Sequence, residues 1–310
     1  MDIRNFQAIR DAIVRSFETI LDDEYDFLGS RRDLILQERP CLERLLSRIE
    51  SRLVLDPSFN PWAGFCVSLD DKGYSPSSRH RTVSLNVAPP RSVGVVHGTF
   101  DPFHLGHLIM GLDAIADGSC DLIVYMPNSD RSAGGSSVKP NKSAHPWRMR
   151  TVLSGGADDF FPLTRVSTFA REGDLARAYG RLVDANREIV EGPSGLDIVI
   201  IIGSDIVLRP DFIEWSNPAY ARIAALAPGG GLRLRFRVVE RGGHSASADG
   251  RAVRDILRDF DFPHEIVSEV SGASSSSIKQ DCASAVYLYP REISLLEAFL
   301  LYSPDAGARA

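Results

Sequence analysis

From residue 92 onward, short apolar runs alternate with stretches of helical periodicity, and this alternation constrains the fold more than any other feature of the sequence. The run at 198–202 is unbroken and β-branched, as expected for a strand that is buried on both faces. Apolar residues recur at helical spacing across 171–189. Strands that alternate with helices predict a parallel sheet covered by helices on both faces. We therefore expect an α/β fold with a Rossmann-like, doubly wound parallel sheet.

The segment 98–107 joins the first predicted strand to a helix and carries two histidines. Free N–H groups in the first turn of a helix attract anions, and small residues such as Gly98 and Gly106 let the backbone approach a phosphate closely. His104 and His107 stand three residues apart, so both can donate to one bound phosphate. In a doubly wound sheet, a turn after the first strand lies at the crevice where ligands bind. The segment predicts a phosphate-binding site.

The pattern Gly-x-Phe-Asp-Pro-x-His-x-Gly-His resembles the signature of the HxGH nucleotidyltransferases. This superfamily includes nicotinate mononucleotide adenylyltransferase, pantetheine-phosphate adenylyltransferase and glycerol-phosphate cytidylyltransferase, and the form found here is closest to the nicotinate mononucleotide branch. The resemblance implies that His104 and His107 are catalytic residues that hold the phosphates of the nucleotide. It implies nucleotide-binding roles for the remaining motif residues: Gly98, Thr99, Phe100, Asp101 and Gly106.

A serine-rich segment near the C-terminus, 273–279, follows a predicted strand and precedes a helical pattern. Serines at a helix start cap free N–H groups and offer hydroxyl donors to an anion. The segment resembles the Ile-Ser-Ser-Thr-x-Ile-Arg motif of the superfamily, which implies a catalytic role for Lys279. The residues with implied nucleotide-binding roles are Ser274, Ser275, Ser276 and Ile278. Ala273 replaces an aliphatic residue of the motif, and Lys279 replaces an arginine, which keeps the charge but loses the bidentate geometry.

A basic loop after the second predicted strand supplies two further candidates. Lys142 resembles a catalytic lysine of the superfamily, and Arg148 resembles an arginine on the next helix, which implies a role in acceptor binding. Lys139 is a competing choice for the lysine.

The segment Ile-Gly-Ser-Asp at 202–205 resembles a Gly-Ala-Asp segment of the superfamily. The resemblance implies that Gly203 and Asp205 bind the nucleotide and that Trp215 stacks on the pyridine ring of the acceptor. A buried core position is the alternative for Trp215. The Ser-Tyr-Thr-x-x-Thr-Leu segment of the nicotinate branch has no match in the corresponding region, 171–179.

Residues 1–90 resemble no segment of the superfamily, and we predict an N-terminal extension there, followed by a nucleotidyltransferase domain over 91–310. Apolar residues at helical spacing predict helices over 3–20 and 42–53, and a loose β-hairpin with strands at 65–69 and 82–85 follows. The helix pair either binds a partner or caps a substrate, or it packs on the enzyme core, and we favour packing.

Charge and composition exclude several classes of protein. A net charge of −6 argues against a nucleic-acid coat, and no apolar run approaches the length of a membrane span. We find no secretory signal at the N-terminus and no CxxC pair among the four cysteines, which indicates a cytoplasmic protein with reduced thiols. Arg233, Arg235 and Arg237 alternate along one predicted strand and share a face, for which we favour solvent exposure over anion binding.

The resemblance implies transfer of a nucleoside monophosphate, most readily AMP from ATP, to the phosphate of an acceptor such as nicotinate mononucleotide, with release of pyrophosphate. Mg²⁺ is expected to enter with the triphosphate, and we predict no dedicated metal ligands on the protein. Two alternatives are a cytidylyltransferase or related enzyme with another phosphate or phosphonate acceptor, and a non-catalytic nucleotide-sensing regulator. The missing acceptor segment and the 90-residue extension support the first alternative, and the intact histidines and the serine–lysine motif argue against the second.

Overall fold

A computed structural model describes most of the chain between residues 32 and 268. The described residues are 32–61, 63–67, 89–129, 143–153, 157, 160–171, 175–240 and 250–268. None of the helices in this part of the chain is long and apolar enough to cross a membrane.

Six parallel strands form one sheet in the order β3-β2-β1-β4-β5-β6. Their bounds are β1 (Ser92–Gly98), β2 (Leu122–Pro127), β3 (Thr164–Val166), β4 (Leu196–Gly203), β5 (Leu232–Glu240) and β6 (His264–Ser268). This order is that of a doubly wound nucleotide-binding sheet, so the predicted Rossmann-like fold is confirmed. Its crevice lies where β1 and β4, adjacent in the sheet, lead to connections that run in opposite directions.

The helices of the described residues are α1 (Arg32–Leu55), α2 (Leu105–Ala116), α3 (His145–Val152), α4 (Leu175–Ala185), α5 (Arg187–Val190), α6 (Ser204–Val207), α7 (Phe212–Ala224) and α8 (Val253–Leu257). A short 3-10 turn, Phe169–Arg171, follows β3. The sequence also offers 223–227 as a candidate strand, and this prediction is wrong, because residues 223 and 224 end α7 and residues 225–227 form the turn that follows it. Its apolar residues satisfy helical spacing as well as strand spacing, since the run is short.

Apolar side chains form one layer on each face of the sheet. Alternation along β1 sends Val93 and Val95 to the layer under α4 and α7, and Val96 to the layer under α1 and α2. Helix α2 approaches β2 closely, because a Cβ at Gly111 would lie 2.4 Å from the Tyr125 hydroxyl oxygen. That hydroxyl donates to the carbonyls of His107 and Leu108 at 3.1 and 3.2 Å, which anchors the first turn of α2 to the sheet.

The described part of the N-terminal extension packs into both layers. The second predicted helix is longer than its apolar pattern, since α1 continues through Pro40, and its apolar face joins the layer beside α2. The chain then passes to the other layer, where Phe65 and Val67 are fully buried. The extension thus packs on the core, as we favoured, while the boundary at residue 90 stays a prediction.

Within the first predicted hairpin strand, residues 65–67 lie in no strand, and residues 68 and 69 lie outside the described residues. Carbonyls of this segment accept hydrogen bonds from side chains on β3 and just after it, where a neighbouring strand would otherwise donate. The second predicted strand, at 82–85, and the predicted helix at 3–20 lie outside the described residues.

The arginines of β5 differ in exposure. Arg233 and Arg235 are exposed and lie beside Asp197, in line with a solvated face. Arg237 is buried, which corrects the expectation of solvent exposure along the whole face. Its guanidinium pairs with Asp117, Asp113 and Glu265, because α2 and β6 cover this end of the strand.

Candidate functional site

The histidine turn lies at the carboxyl edge of the sheet, between β1 and α2. His104 has an extended backbone, with φ −150° and ψ 168°, and immediately precedes the first residue of α2. The turn therefore presents the N-terminus of α2 to the crevice, where its N–H groups favour an anion. This is the arrangement that the sequence predicted.

The two histidine rings lie side by side, with ring centroids 3.7 Å apart. Both are buried, at 1% exposure for His104 and 9% for His107. The His107 ring stacks on Phe103 at 5.3 Å and meets the edge of Phe100 at 5.0 Å. These aromatic neighbours fix the orientation of His107.

One hydrogen bond sets the proton position on His107. The His104 backbone N–H donates to Nδ1 of His107 at 3.3 Å. Because Nδ1 accepts, the proton of the neutral imidazole resides on Nε2. His107 is thus prepared to donate from Nε2 to a phosphate oxygen.

The backbone at the start of the histidine turn is strained and closely packed. Phe100 has a left-handed backbone, with φ 49°, which costs energy for a residue other than glycine. A Cβ at Gly98 would lie 3.0 Å from the Phe100 ring, so glycine permits this close approach. Strain of this kind persists where the surrounding contacts hold it, and it clusters at functional sites.

Arg148 and Asp101 connect the turn to neighbouring loops. Arg148 is fully buried and donates from all three guanidinium nitrogens, at 2.7 to 2.9 Å, to the carbonyls of Thr99, Asn128 and Ser143. One carboxylate oxygen of Asp101 accepts the Ser143 N–H at 2.8 Å. The implied acceptor contact of Arg148 stays a prediction, and these bonds give it a positioning role that the sequence did not indicate.

The other half of the site follows β4. The paired residues Val96 and Ile201 show that Gly98 and Gly203 leave adjacent strands at the same edge. Asp205 lies in the first turn of α6, directly after Gly203. The structure thus places both implied nucleotide-binding residues of this segment beside the histidine turn.

Trp215, in the first turn of α7, is half-buried and packs against the core. Its ring meets Phe212 edge-on at 5.7 Å and lies 6.2 Å from the Tyr220 ring. These contacts agree with the core-packing alternative in part, since the ring is only half-buried, and stacking on an acceptor ring stays a prediction.

Several predicted site residues lie outside the described residues. They are Lys139, Lys142, Ser274, Ser275, Ser276, Ile278 and Lys279. Their roles remain those that the resemblance implies.

His97 is a further polar residue of the crevice that the sequence interpretation did not use. Nδ1 of His97 is buried and makes no hydrogen bond to any described residue. Its ring meets the edge of Tyr179, on α4, with centroids 6.4 Å apart. Burial lowers the pKa of His97 to about 4. The signal in the sequence was a histidine that ends an apolar strand just before the motif.

This shift predicts a pH-dependent contribution to stability. The unfolded chain protonates His97 near pH 6.5, whereas the folded protein keeps it neutral down to about pH 4. The unfolded state thus takes up the proton first, so the free energy of unfolding falls as the pH drops through this interval. We expect His97→Asn to remove the contribution, about 2 kcal/mol at about pH 5. Urea unfolding of both proteins at about pH 7 and about pH 5 measures it, and a difference that is independent of pH would contradict it.

Comparison with known proteins agrees with this geometry. Residues 95–149 match a family model described as cytidylyltransferase-like. A probable nicotinate-nucleotide adenylyltransferase of Corynebacterium glutamicum is 35% identical over 128 residues, which cover 40% of this chain and 53% of that protein. One of Dictyoglomus turgidum is 25% identical over 126 residues, which cover 41% of this chain and 57% of that protein. The chain thus spans little more than half the length of these two relatives.

A solved structure of Plasmodium falciparum nicotinic acid mononucleotide adenylyltransferase, complexed with NaAD, is also similar. It is 14% identical and has a TM-score of 0.47, and the match covers 68% of this chain and 97% of that one. The histidine turn and the matching sequences make the chain similar to the cytidylyltransferase-like family and, within it, to the nicotinate-nucleotide adenylyltransferases.

Proposed function

We propose that this protein transfers AMP from ATP to the phosphate of nicotinate mononucleotide and releases pyrophosphate. The observation that carries the proposal is the pair of adjacent histidine rings at the N-terminus of α2, with Nε2 of His107 set to donate. The names of the curated relatives support the acceptor. Acceptor and nucleotide would meet in the crevice between β1 and β4.

In the proposed reaction, an oxygen of the acceptor phosphate attacks the α-phosphorus of ATP. A new P–O bond forms there, the bond to the bridging oxygen of the β-phosphate breaks, and pyrophosphate leaves with the electron pair. No covalent enzyme intermediate is needed, so the protein contributes positioning and charge stabilisation. Such a reaction requires hydrogen-bond donors held in fixed positions by the protein, and it does not require a nucleophilic side chain.

The residues of the turn match these requirements. We assign His104 to the α-phosphate region and His107 to the β- and γ-phosphates, with Lys142 and Lys279 sharing the negative charge. The segment 274–276 would bind the leaving pyrophosphate. Arg148 holds the backbone of the turn through the Thr99 carbonyl, so it fixes where these donors point.

We expect Mg²⁺ to arrive on the triphosphate, because it binds phosphate oxygens with few protein ligands. When bound, it would neutralise part of the phosphate charge. Within the part of the chain that the structure describes, no three His, Cys, Asp or Glu side chains are grouped so that they could hold an ion by themselves. We expect the nucleotide to supply most of the ligands of the proposed metal ion.

A second candidate is transfer to another phosphate or phosphonate acceptor, with ATP or CTP as the donor. The region that carries the acceptor segment in the nicotinate branch has a different sequence here, at 171–179. This sequence difference favours an acceptor other than nicotinate mononucleotide. It does not affect the residues proposed to bind the phosphates of the nucleotide. A protein that senses nucleotides without turnover is the remaining alternative.

The test is pyrophosphate release from ATP, CTP, GTP and UTP, each combined with nicotinate mononucleotide, nicotinamide mononucleotide, phosphopantetheine and small phosphonates. We expect turnover with ATP and nicotinate mononucleotide, and its loss in His104→Ala. Turnover only with a combination of triphosphate and another acceptor would show that nicotinate mononucleotide is not the acceptor. Nucleotide binding without turnover in any combination would favour the sensing role.

A further inference from the structure

Several buried polar atoms on one face of the sheet make no hydrogen bond within the described structure. They include Nδ1 of His97, the hydroxyl of Tyr179 and Nε1 of Trp215. These three come from β1, α4 and α7: the His97 ring meets the edge of Tyr179, and Trp215 packs against the same apolar layer as Tyr179. Buried polar groups are nearly always paired, and a group of unpaired ones at a crevice indicates a ligand that supplies the partner.

These groups lie on the opposite face of the sheet from the histidine turn. Phe100 and Phe103, which hold the His107 ring, belong to the layer under α1 and α2. Tyr179 belongs to the layer under α4 and α7, and the His97 ring meets its edge there. A ligand group that reaches His97 is therefore separate from the phosphates at His107, and the acceptor is the substrate that can supply it.

The groups are uncharged at neutral pH. Burial lowers the pKa of His97 to about 4, so its imidazole is neutral. Burial, followed by the neighbouring Tyr220, raises the pKa of Tyr179, so its phenol stays protonated. With the indole N–H of Trp215, the three groups offer hydrogen bonds without a formal charge. Such a surface recognises a carbonyl oxygen, whether it belongs to a carboxamide or to a carboxylate.

We propose that His97 is a specificity-determining residue of the acceptor side and donates from Nδ1 to a carbonyl substituent of the acceptor. Tyr179 donates to the same substituent from α4. This inference rests on the proposed nucleotidyl transfer, because it takes the acceptor to be a pyridine mononucleotide. It assigns acceptor recognition to His97, outside the segment that differs from the nicotinate branch, and to Tyr179, the last residue of that segment.

The test compares two substitutions of His97. Asparagine keeps an amide group near the position of Nδ1, whereas leucine has similar bulk and no polar atom. With nicotinate mononucleotide and ATP, we expect His97→Leu to raise the acceptor KM by about tenfold or more and to leave the ATP KM within about twofold. His97→Asn should stay within about threefold of the wild type for both substrates. Tyr179→Phe should raise the acceptor KM in the same direction.

Calorimetric binding of nicotinate mononucleotide without ATP, together with thermal unfolding, separates recognition from folding. Because Nδ1 has no hydrogen-bond partner among the described residues, leucine should leave Tm unchanged or raise it while weakening binding by about tenfold. A His97→Leu protein with wild-type KM and binding overturns the inference and leaves the transfer reaction standing. A wild-type protein that releases pyrophosphate but neither binds nor uses pyridine mononucleotides overturns the inference and the proposed acceptor together.

Discussion

Replacement of His107 by asparagine should lower kcat/KM for pyrophosphate release by about a hundredfold or more. An asparagine amide can take the place of Nδ1 and accept the His104 N–H, which His107 accepts at 3.3 Å. It does not extend to the position of Nε2, from which we expect donation to phosphate. Glutamine extends to that position and loses the Nδ1 contact, so His107→Gln should recover part of the activity. Initial rates with ATP and nicotinate mononucleotide measure both effects.

His264→Asn is the matched control, because His264 is exposed and begins the edge strand β6. It should keep wild-type kcat/KM. Thermal unfolding of the variants tests whether loss of the ring between Phe100 and Phe103 disturbs α2. Wild-type activity in a folded His107→Asn protein would show that donation from Nε2 contributes little.

The general architecture and the histidine turn follow from local sequence. The run at 198–202 gives the central strand β4, and the spacing of His104 and His107 places both rings at the start of α2. These features depend on residues that are close in sequence, so hydrophobic periodicity and motif spacing predict them. The same reasoning places Gly203 and Asp205 at the crevice, since Gly203 ends β4 and Asp205 lies two residues later.

The contacts that fix the site depend on residues far apart in the sequence. Arg148 donates to Thr99 and Asn128, which directly follow β1 and β2, and no local pattern shows that three loops meet at one guanidinium. Arg237 has the alternation of an exposed strand, and its burial comes from α2 and β6 packing over that end of the sheet. Packing by elements distant in sequence thus buries a side chain that the strand's alternation predicts to be exposed.

Arg165→Met should have the largest effect on stability, lowering the free energy of unfolding by about 3 to 5 kcal/mol. Arg165 is buried on β3 and donates to the carbonyls of Phe65, Ala63 and Pro61 at 2.7, 2.7 and 3.2 Å. Burial lowers its pKa to about 10, which leaves the guanidinium charged at neutral pH. Methionine fills much of the volume but leaves buried carbonyls without donors, and each unpaired group is costly.

Urea unfolding measures this loss, with Arg233→Met as the control. Arg233 is exposed on β5 and pairs with Asp197, so its replacement should change the free energy of unfolding by less than about 1 kcal/mol. Arg165→Lys keeps the charge but lacks the planar fork, and we expect an intermediate loss. An Arg165→Met protein as stable as the control would show that the carbonyls find other donors.

Urea unfolding of Arg165→Met also tests whether the residues before 90 unfold together with the sheet or as a separate unit. Ser167 and Asn186 also bind the segment, at the Val67 carbonyl and at the backbone of Cys66. If residues before 90 form a separate unit, loss of Arg165 should release the segment and leave the main unfolding transition of the sheet in place. If 63–67 is part of the second apolar layer, as the burial of Phe65 indicates, the whole transition should shift to lower urea without splitting. We expect the single shifted transition, because removing the segment would expose the apolar layer that covers β1 and β2.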